Sequence, residues 1–238
     1  LLLLFLFSLQ IKGIEHSHDK ALSLILSHRL SAKIWVEIPE LGKLNAERIF
    51  SQDLGQSNFS WNGRVLGVEK GFLTFSKVNG SIHGSVNSLG GTSFKFFGSA
   101  DGLTFEEEKS ASRCGGCVVH ESLPPDPRRN AIPAMSWRNG EAHLIDLLIV
   151  YPAAVRSEAG NTADVEAAIA SAVADSNLCY RKSLVPIQLR VVHMAEVSYT
   201  PTGTLNIDLD RLEAKSDGYM DSVHTLRDQY GADLVCLL

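Results

Sequence analysis

The sequence has little cysteine, no excess of basic residues and no apolar run long enough for a membrane-spanning helix. Its 238 residues include four cysteines, too few for a disulfide-built scaffold, so the core must come from buried apolar side chains. The formal net charge is −5 at pH 7. A chain with this charge lacks the basic footprint of a nucleic-acid-binding protein, so we expect no nucleic-acid partner.

Several catalytic signatures are absent as well. The sequence has no G-x-x-x-x-G-K-[ST] phosphate loop and no G-x-S-x-G turn, which argues against nucleotide hydrolases and α/β serine hydrolases. His120 begins like the zinc-helix motif H-E-x-x-H, but Pro124 stands where the second histidine would be. Because SLPPDP cannot form a helix, two ligands one turn apart are not available there.

The remaining polar residues of the second half stand alone. We interpret His193 and His224 as satisfied core or surface histidines, since neither has partner ligands at metal-binding spacing. Asp146 interrupts an apolar run, and we expect it to bind a neighbouring backbone group or face a sheet edge rather than to act in catalysis. Asp208 is expected to be a capping or solvated acid.

The two ends of the sequence are apolar. LLLLFLFSLQ is too short to span a bilayer and is typical of the hydrophobic part of a secretory signal. We therefore predict a truncated signal peptide at residues 1–12 and a secreted protein with no membrane segment in its mature form. At the other end, GADLVCLL is typical of a turn followed by a buried strand, and we expect the reading frame to continue past Leu238.

Residues 32–110 have the pattern of an antiparallel β structure. Short runs rich in β-branched and aromatic residues are separated by turn signals; they are AKIWVEI, WNGRVLGV, GFLTFSKV, SIHGSV, SFKFF and LTFEE. Their even spacing predicts a sandwich or a barrel-like sheet, with a hairpin about Asn79 and Gly80.

Residues 141–238 follow a linker at 111–140, and their apolar residues are spaced differently from those of the first half. HLIDLLIVY is a nearly continuous apolar run, as in a strand covered on both faces. A helix capped by Thr162 follows over 164–181, with one apolar face; that face comprises Val165, Ile169, Val173 and Tyr180. IQLRVVHM, a helix at 219–230 and DLVCLL complete a strand–helix order that predicts a mostly parallel sheet. The fold class is thus mixed, α+β followed by α/β.

Three segments of the second half carry a resemblance. IDLLIVYPAAV, VADSNLCYRKSLVPIQLRVVHMAEVSY and DGYMDSVHTLRDQYGADLVCLL resemble the N-terminal part of the catalytic domain in reprolysin-like zinc metallopeptidases of the metzincin clan. The likeness covers roughly residues 141–238. It implies a front half of a metzincin-like α/β domain, with zinc as cofactor and proteins or peptides as substrates. The family's zinc helix, H-E-x-x-H-x-x-G-x-x-H, is not in this sequence, so no zinc ligand of that helix and no general base is assigned.

The resemblance also implies a role for the first half and the linker. Residues 32–110 are similar to reprolysin-type prodomains, and RCGG (residues 113–116) matches the Cys-Gly setting in which a prodomain thiolate occupies the open position of the catalytic zinc. Cys114 is the predicted zinc ligand and Cys117 the alternate. A disulfide, or a C-x-x-C redox or zinc half-site, remains an alternative for this pair.

The sequence thus predicts part of a secreted zinc metalloendopeptidase zymogen that hydrolyses peptide bonds. Arg128 and Arg129, in a proline-stiffened linker, are either an activating cleavage site or solvated charge. A secreted binding or adhesion protein without catalytic activity is the alternative, and the reading frame beyond Leu238 distinguishes the two.

Overall fold

A computed structural model describes two sheets with helices packed on the second. The described residues are 29–39, 41–69, 71–89, 92–108 and 142–238. The predicted signal peptide at 1–12 and the cysteine-containing linker at 111–140 lie outside them. The predicted division of the chain into four segments therefore stays a prediction.

The first half forms a seven-stranded antiparallel sheet in which each strand pairs with the next. The strands are β1 (Lys33–Ile38), β2 (Gly42–Gly55), β3 (Asn58–Val65), β4 (Phe72–Val78), β5 (Ser81–Leu89), β6 (Thr92–Ser99) and β7 (Gly102–Glu108). The sequence pattern predicted an antiparallel structure but missed β2. GKLNAERIFSQDLG is largely exposed or half-buried, so it has no apolar alternation for a pattern to detect.

One face of this sheet encloses an apolar core. Trp61, Phe75 and Phe96 are fully buried in it, and the ring centroids of Trp61 and Phe75 lie 5.7 Å apart. Ile34 of β1 and Leu103 of β7 belong to the same cluster, although these strands lie at opposite ends of the strand order. The sheet is therefore curled, which agrees with the predicted barrel-like form.

The predicted hairpin between β4 and β5 is present. Its two turn residues, Asn79 and Gly80, have φ angles of 49° and 88°. Positive φ at both central residues is the geometry of a type I′ turn, whose twist matches that of the flanking strands. Val78 pairs with Ser81 across this turn.

The second half forms a three-stranded parallel sheet with four helices in the described residues. The elements are β8 (His143–Pro152), α1 (Ala153–Ala159), α2 (Thr162–Lys182), β9 (Ile187–Val197), α3 (Leu205–Glu213), α4 (Ser222–Tyr230) and β10 (Leu234–Leu237). The strand order is β10-β8-β9. All three predicted strands and both predicted helices are confirmed. The helices α1 and α3 were not predicted, because each is short and rich in polar residues.

Helix α2 packs its predicted apolar face on the parallel sheet. Val165 and Ile169 are buried there with Leu147 and Leu189 of β8 and β9. The predicted cap was wrong by one residue: Asn161 is the N-cap, and its side-chain oxygen accepts a 3.0 Å hydrogen bond from the Asp164 amide. None of the described helices is both long and apolar enough to cross a membrane.

Candidate functional site at the contact between the antiparallel sheet and helix α2

The β4–β5 hairpin turns its outer face toward helix α2, and we call this contact the sheet–helix interface. Alternate residues of β4 and β5 lie on this face because side chains of a strand point to opposite sides in turn. The hydroxyl residues Thr74, Ser76, Ser81 and Ser85 are all buried, with at most 7% of each exposed. On a face that points away from the apolar core, hydroxyl side chains become buried only when another element covers them.

Small side chains let the helix approach closely. Ala167 and Ala170 of α2 form a buried cluster with Val78, against which Leu54 packs. At the same place the Ser76 hydroxyl donates a hydrogen bond to the Ala167 carbonyl oxygen. A side-chain hydroxyl can reach a helix backbone in this way only where no large side chain intervenes. The centre of the interface is thus small and partly polar.

The N-terminal turn of α2 is tied to the hairpin by acidic side chains. Asp164 accepts a hydrogen bond from the Ser81 hydroxyl, and Glu166 accepts a 3.0 Å bond from Asn79 Nδ2. Asn79 is itself held by Asn58, whose Oδ1 accepts the Asn79 amide at 2.8 Å. Carboxylates near a helix N-terminus are also favoured by the helix dipole, so these contacts serve both elements.

The C-terminal turn of α2 contacts aromatic rings of the sheet. The Arg181 guanidinium lies 4.4 Å from the Phe50 ring centroid, and the Lys182 ammonium lies 3.8 Å from that of Phe72. Cation–π contacts of this kind contribute about 0.5–1 kcal/mol at exposed sites. The interface therefore extends over the whole length of the helix.

Two titratable groups of the interface have pKa values shifted by burial. His83 of β5 stacks on Phe97 of β6 and has its Nε2 4.0 Å from an oxygen of Asp164. Asp175 of α2 lies with its Oδ2 3.3 Å from the Ser85 hydroxyl. Burial raises the pKa of Asp175 and lowers the pKa of His83. In both groups, therefore, burial disfavours the charged form.

A small apolar cavity lies on the opposite side of α2, above the parallel sheet. Its volume is about 40 Å³, and its walls include Leu147, Ile169, Leu189 and Cys236. Ligand pockets have volumes of about 300–1,000 Å³. This cavity is therefore not a substrate site.

The predicted metal ligand Cys114 and its alternate Cys117 lie outside the described residues, as do Arg128 and Arg129. Within the part of the chain that the structure describes, no three His, Cys, Asp or Glu side chains come together in a way that could hold a metal. Cys179 is exposed and Cys236 is buried, and both are free thiols. The assignment of Cys114 stays a prediction.

The isolated histidines of the second half have ordinary partners, as predicted. The His193 ring stacks on Tyr230 with a centroid distance of 3.9 Å. His224 Nε2 lies 3.0 Å from the Ala214 carbonyl oxygen.

Two acids of the second half have specific partners. Asp146 was expected to bind a backbone group or face a sheet edge, but it lies on the central strand β8 and its carboxylate forms a bidentate ion pair with Arg190, both N···O distances being 2.7 Å. This pair lowers the pKa of Asp146. The interpretation of Asp208 as a capping or solvated acid was wrong. It is 7% exposed and accepts hydrogen bonds from the Tyr199 hydroxyl and from the amide and hydroxyl of Thr202, so it fixes the loop between β9 and α3.

Sequence reasoning did not single out the residues of the sheet–helix interface. One signal was present: Thr74 and Ser76 of β4, and Ser81 and Ser85 of β5, lie on one face of their strands, and Ala167 and Ala170 of α2 are three residues apart. Neither pattern is a run of large apolar residues, so neither indicated a buried contact.

Comparison with known proteins shows which family the second half is similar to. Residues 142–238 match the family model described as metallo-peptidase family M12B, reprolysin-like. A solved structure titled "Structure of a chaperone-substrate complex" aligns with 65% of this chain and 22% of its own, at 20% identity and a TM-score of 0.33. A score at that level does not establish a shared fold.

Three curated relatives carry the name peptidyl-Asp metalloendopeptidase. The protein of Xanthomonas campestris pv. campestris is 36% identical over 112 residues, covering 47% of this chain and 26% of that protein. The protein of Stenotrophomonas maltophilia strain R551-3 is 40% identical over 122 residues, or 50% and 28% of the two chains. The protein of Pseudomonas aeruginosa PAO1 is 35% identical over 110 residues, or 45% and 17%.

The match thus spans between 17% and 28% of the length of these relatives. The resemblance that the sequence predicted is confirmed: residues 142–238 are similar to the reprolysin-like metallopeptidases of family M12B and to relatives named metalloendopeptidases.

Proposed function

We propose that this chain is part of a secreted zinc metalloendopeptidase zymogen. Residues 141–238 are the front of the catalytic domain, and residues 32–110 are a prodomain that docks on it. The observation that carries the proposal is the sheet–helix interface, since the β-rich half packs directly on the first long helix of the reprolysin-like half through Ser76 and Ala167.

The composition of the interface supports a separable partner. Its centre contains alanines and hydroxyl residues, and its ends contain carboxylates and cation–π pairs. Interfaces between transiently associated units are more polar than those of obligate assemblies. The core of the antiparallel sheet lies on its other face and does not depend on α2. A prodomain must meet both conditions, because it has to fold before release and to leave afterwards.

The described residues do not fit a zinc site, so no step of peptide hydrolysis is assigned to them. The relatives are several times longer than the matched region, and we propose that the zinc helix is supplied by sequence outside this chain. Cys114 is the proposed zinc ligand of the latent form, since a thiolate binds zinc strongly and would displace the water that the metal activates.

The proposed substrates are proteins and peptides. All three relatives are named peptidyl-Asp metalloendopeptidases, so bonds that involve aspartate are the first to test. Paired peptides that differ only by Asp, Asn or Glu at one position would measure this preference directly.

The test uses the longer precursor that contains this chain. We expect the purified precursor to be latent, and to cleave casein in a chelator-sensitive manner after proteolysis within residues 111–140. Replacement of Cys114 with Ser should raise activity before processing, because Ser is a much poorer zinc ligand than a thiolate; Cys117→Ser should do less.

Two results would contradict the proposal. Chelator-insensitive or absent proteolysis after processing would favour the alternative, a secreted binding or adhesion protein. Equal latency of the wild type and both cysteine variants would remove Cys114 as the switch and favour a disulfide, which peptide mapping under non-reducing conditions would detect.

A further inference from the structure

The sheet–helix interface contains two groups that are unfavourable in their charged forms, one on each side. We propose that the interface is a pH-gated latch: ionisation of Asp175 weakens docking of the sheet on α2, and protonation of His83 weakens it as well. Docking through Asp175 is therefore favoured at low pH and docking through His83 at high pH, so the two groups act in opposite directions. The latch itself depends only on the geometry of the interface, whereas its regulatory meaning rests on the proposed zymogen function.

Asp175 faces the sheet without a cation of its own. Its Oδ2 lies 3.3 Å from the Ser85 hydroxyl. The Thr74 hydroxyl is its second hydrogen-bonding neighbour, but the single proton of that hydroxyl is also accepted by Asn62 Oδ1 at 3.0 Å. The charges that act on Asp175 from the sheet are Lys95 of β6, which favours ionisation, and Glu108 of β7, which opposes it.

Lys95 cannot fully compensate Asp175, because its ammonium lies 2.8 Å from Glu108 in an ion pair. Burial therefore dominates and raises the pKa of Asp175 above its ordinary 3.8, with hydrogen bonds from Thr74 and Ser85 lowering it by less. Separation of the halves would return this carboxylate to water, where ionisation costs nothing extra.

His83 is the corresponding group on the sheet. Its ring lies between Phe97 of β6 and the N-terminal turn of α2, and 21% of its side chain is exposed. Burial lowers its pKa below the ordinary 6.5, and the charge of Asp164 raises it by less. Protonated His83 is therefore better accommodated in the separated sheet, where water solvates the imidazolium.

The two groups give opposite limbs of one pH profile. The contribution of neutral His83 to docking is fully present above pH 6.5, its ordinary pKa, and is lost as pH falls through its lowered pKa in the docked state. The contribution of protonated Asp175 is fully present below pH 3.8, its ordinary pKa, and is lost as pH rises through its raised docked-state pKa. Each limb involves one proton, so the dissociation constant changes by at most about tenfold per pH unit.

The test uses the whole chain with a specific protease site inserted between residues 111 and 140 and cut after folding. Association of the two pieces is measured by analytical ultracentrifugation from about pH 4 to about pH 9, which spans both limbs. His83→Gln leaves only the Asp175 contribution, so its association should weaken as pH rises. Asp175→Asn leaves only the His83 contribution, so its association should tighten as pH rises, and the wild type should lie between the two slopes.

Ser85→Ala provides a variant on the sheet side that leaves α2 unchanged. It removes a hydrogen bond to ionised Asp175, so the pKa of docked Asp175 should rise further and the weakening of association should extend to higher pH. Glu158→Gln, on the exposed surface of α1, is the matched charge control and should leave the profile unchanged. Circular dichroism on each uncut variant verifies that both halves are folded.

Profiles of Asp175→Asn and His83→Gln that coincide with that of the wild type would overturn the latch, as would variants whose slopes have the same sign. Association is measured without any proteolytic assay, so failure of the latch and failure of the proposed function are separate results. A precursor without chelator-sensitive activity but with opposite slopes in the two variants would refute only the zymogen function.

Discussion

Replacement of Asn177 with Ala should destabilise the second half more than any ordinary surface change. Asn177 lies on α2 with 2% of its surface exposed. Its Nδ2 donates to the Leu189 carbonyl oxygen at 2.9 Å, and its Oδ1 accepts the Leu189 amide at 2.7 Å. One side chain therefore satisfies both backbone groups of a residue in β9, and it fixes the helix to the strand in one register.

The magnitude follows from the groups left behind. Truncation to alanine leaves a buried amide and a buried carbonyl without partners, and each such group costs about 1–3 kcal/mol. We expect a loss of about 3 kcal/mol in the free energy of unfolding, near the lower part of the summed range, because β9 lies at the edge of the described sheet and water can reach part of the gap.

Urea denaturation followed by far-ultraviolet circular dichroism measures this loss. Residues 142–238 contain no tryptophan, whereas Trp35 and Trp61 lie in the antiparallel sheet and Trp137 is in the linker. In a Trp137→Phe background, tryptophan fluorescence therefore reports the first half separately. Ser176→Ala, one residue away, is the control: its hydroxyl bonds only to the Ala172 carbonyl of the same helix, so its effect should stay within about 0.5 kcal/mol. An Asn177→Ala variant as stable as this control would refute the reasoning.

Two further substitutions test the packing on either side of the sheet. Ala167→Leu overfills the small centre of the sheet–helix interface, so the two pieces of a linker-cleaved chain should separate while each stays folded. The control Ala154→Leu, at an exposed position of α1, should leave the two pieces associated. Gly84→Ala places a Cβ 2.3 Å from Phe96 Cζ and 2.5 Å from the Thr74 carbonyl oxygen, and should cost the sheet about 1–3 kcal/mol by overpacking. Trp61 fluorescence during urea denaturation measures the second effect, and an unchanged midpoint would contradict it.

The elements of the second half could be predicted because their burial is nearly complete. β8 lies between two strands with α2 against one face, so HLIDLLIVY had to be continuously apolar from its middle onward. The spacing of Val165 and Ile169 reflects the face of α2 that rests on this sheet. Where burial is partial, as in β2, the same reasoning failed because polar residues occupy both faces.

The sheet–helix interface could not be predicted for a different reason. Its contacts join residues far apart in sequence, such as Ser76 with Ala167 and Ser85 with Asp175. Nothing local in a strand indicates which distant helix will cover it. The placement of Cys114 is not tested by these contacts, because that residue lies outside the described residues.

The hydroxyl and alanine residues that made the interface hard to predict would also allow the two halves to separate. An outer sheet face of Thr74, Ser76, Ser81 and Ser85 resembles a solvent-facing surface, and without α2 it would be one. The matching face of α2 presents Ala167 and Ala170, which expose little apolar area. Among the described residues, the apolar cluster at the centre of the contact comprises Val78, Ala167, Ala170 and Leu54, so separation would expose a small apolar cluster there. An interface of larger apolar residues would hold the halves more tightly and would make their release far less reversible.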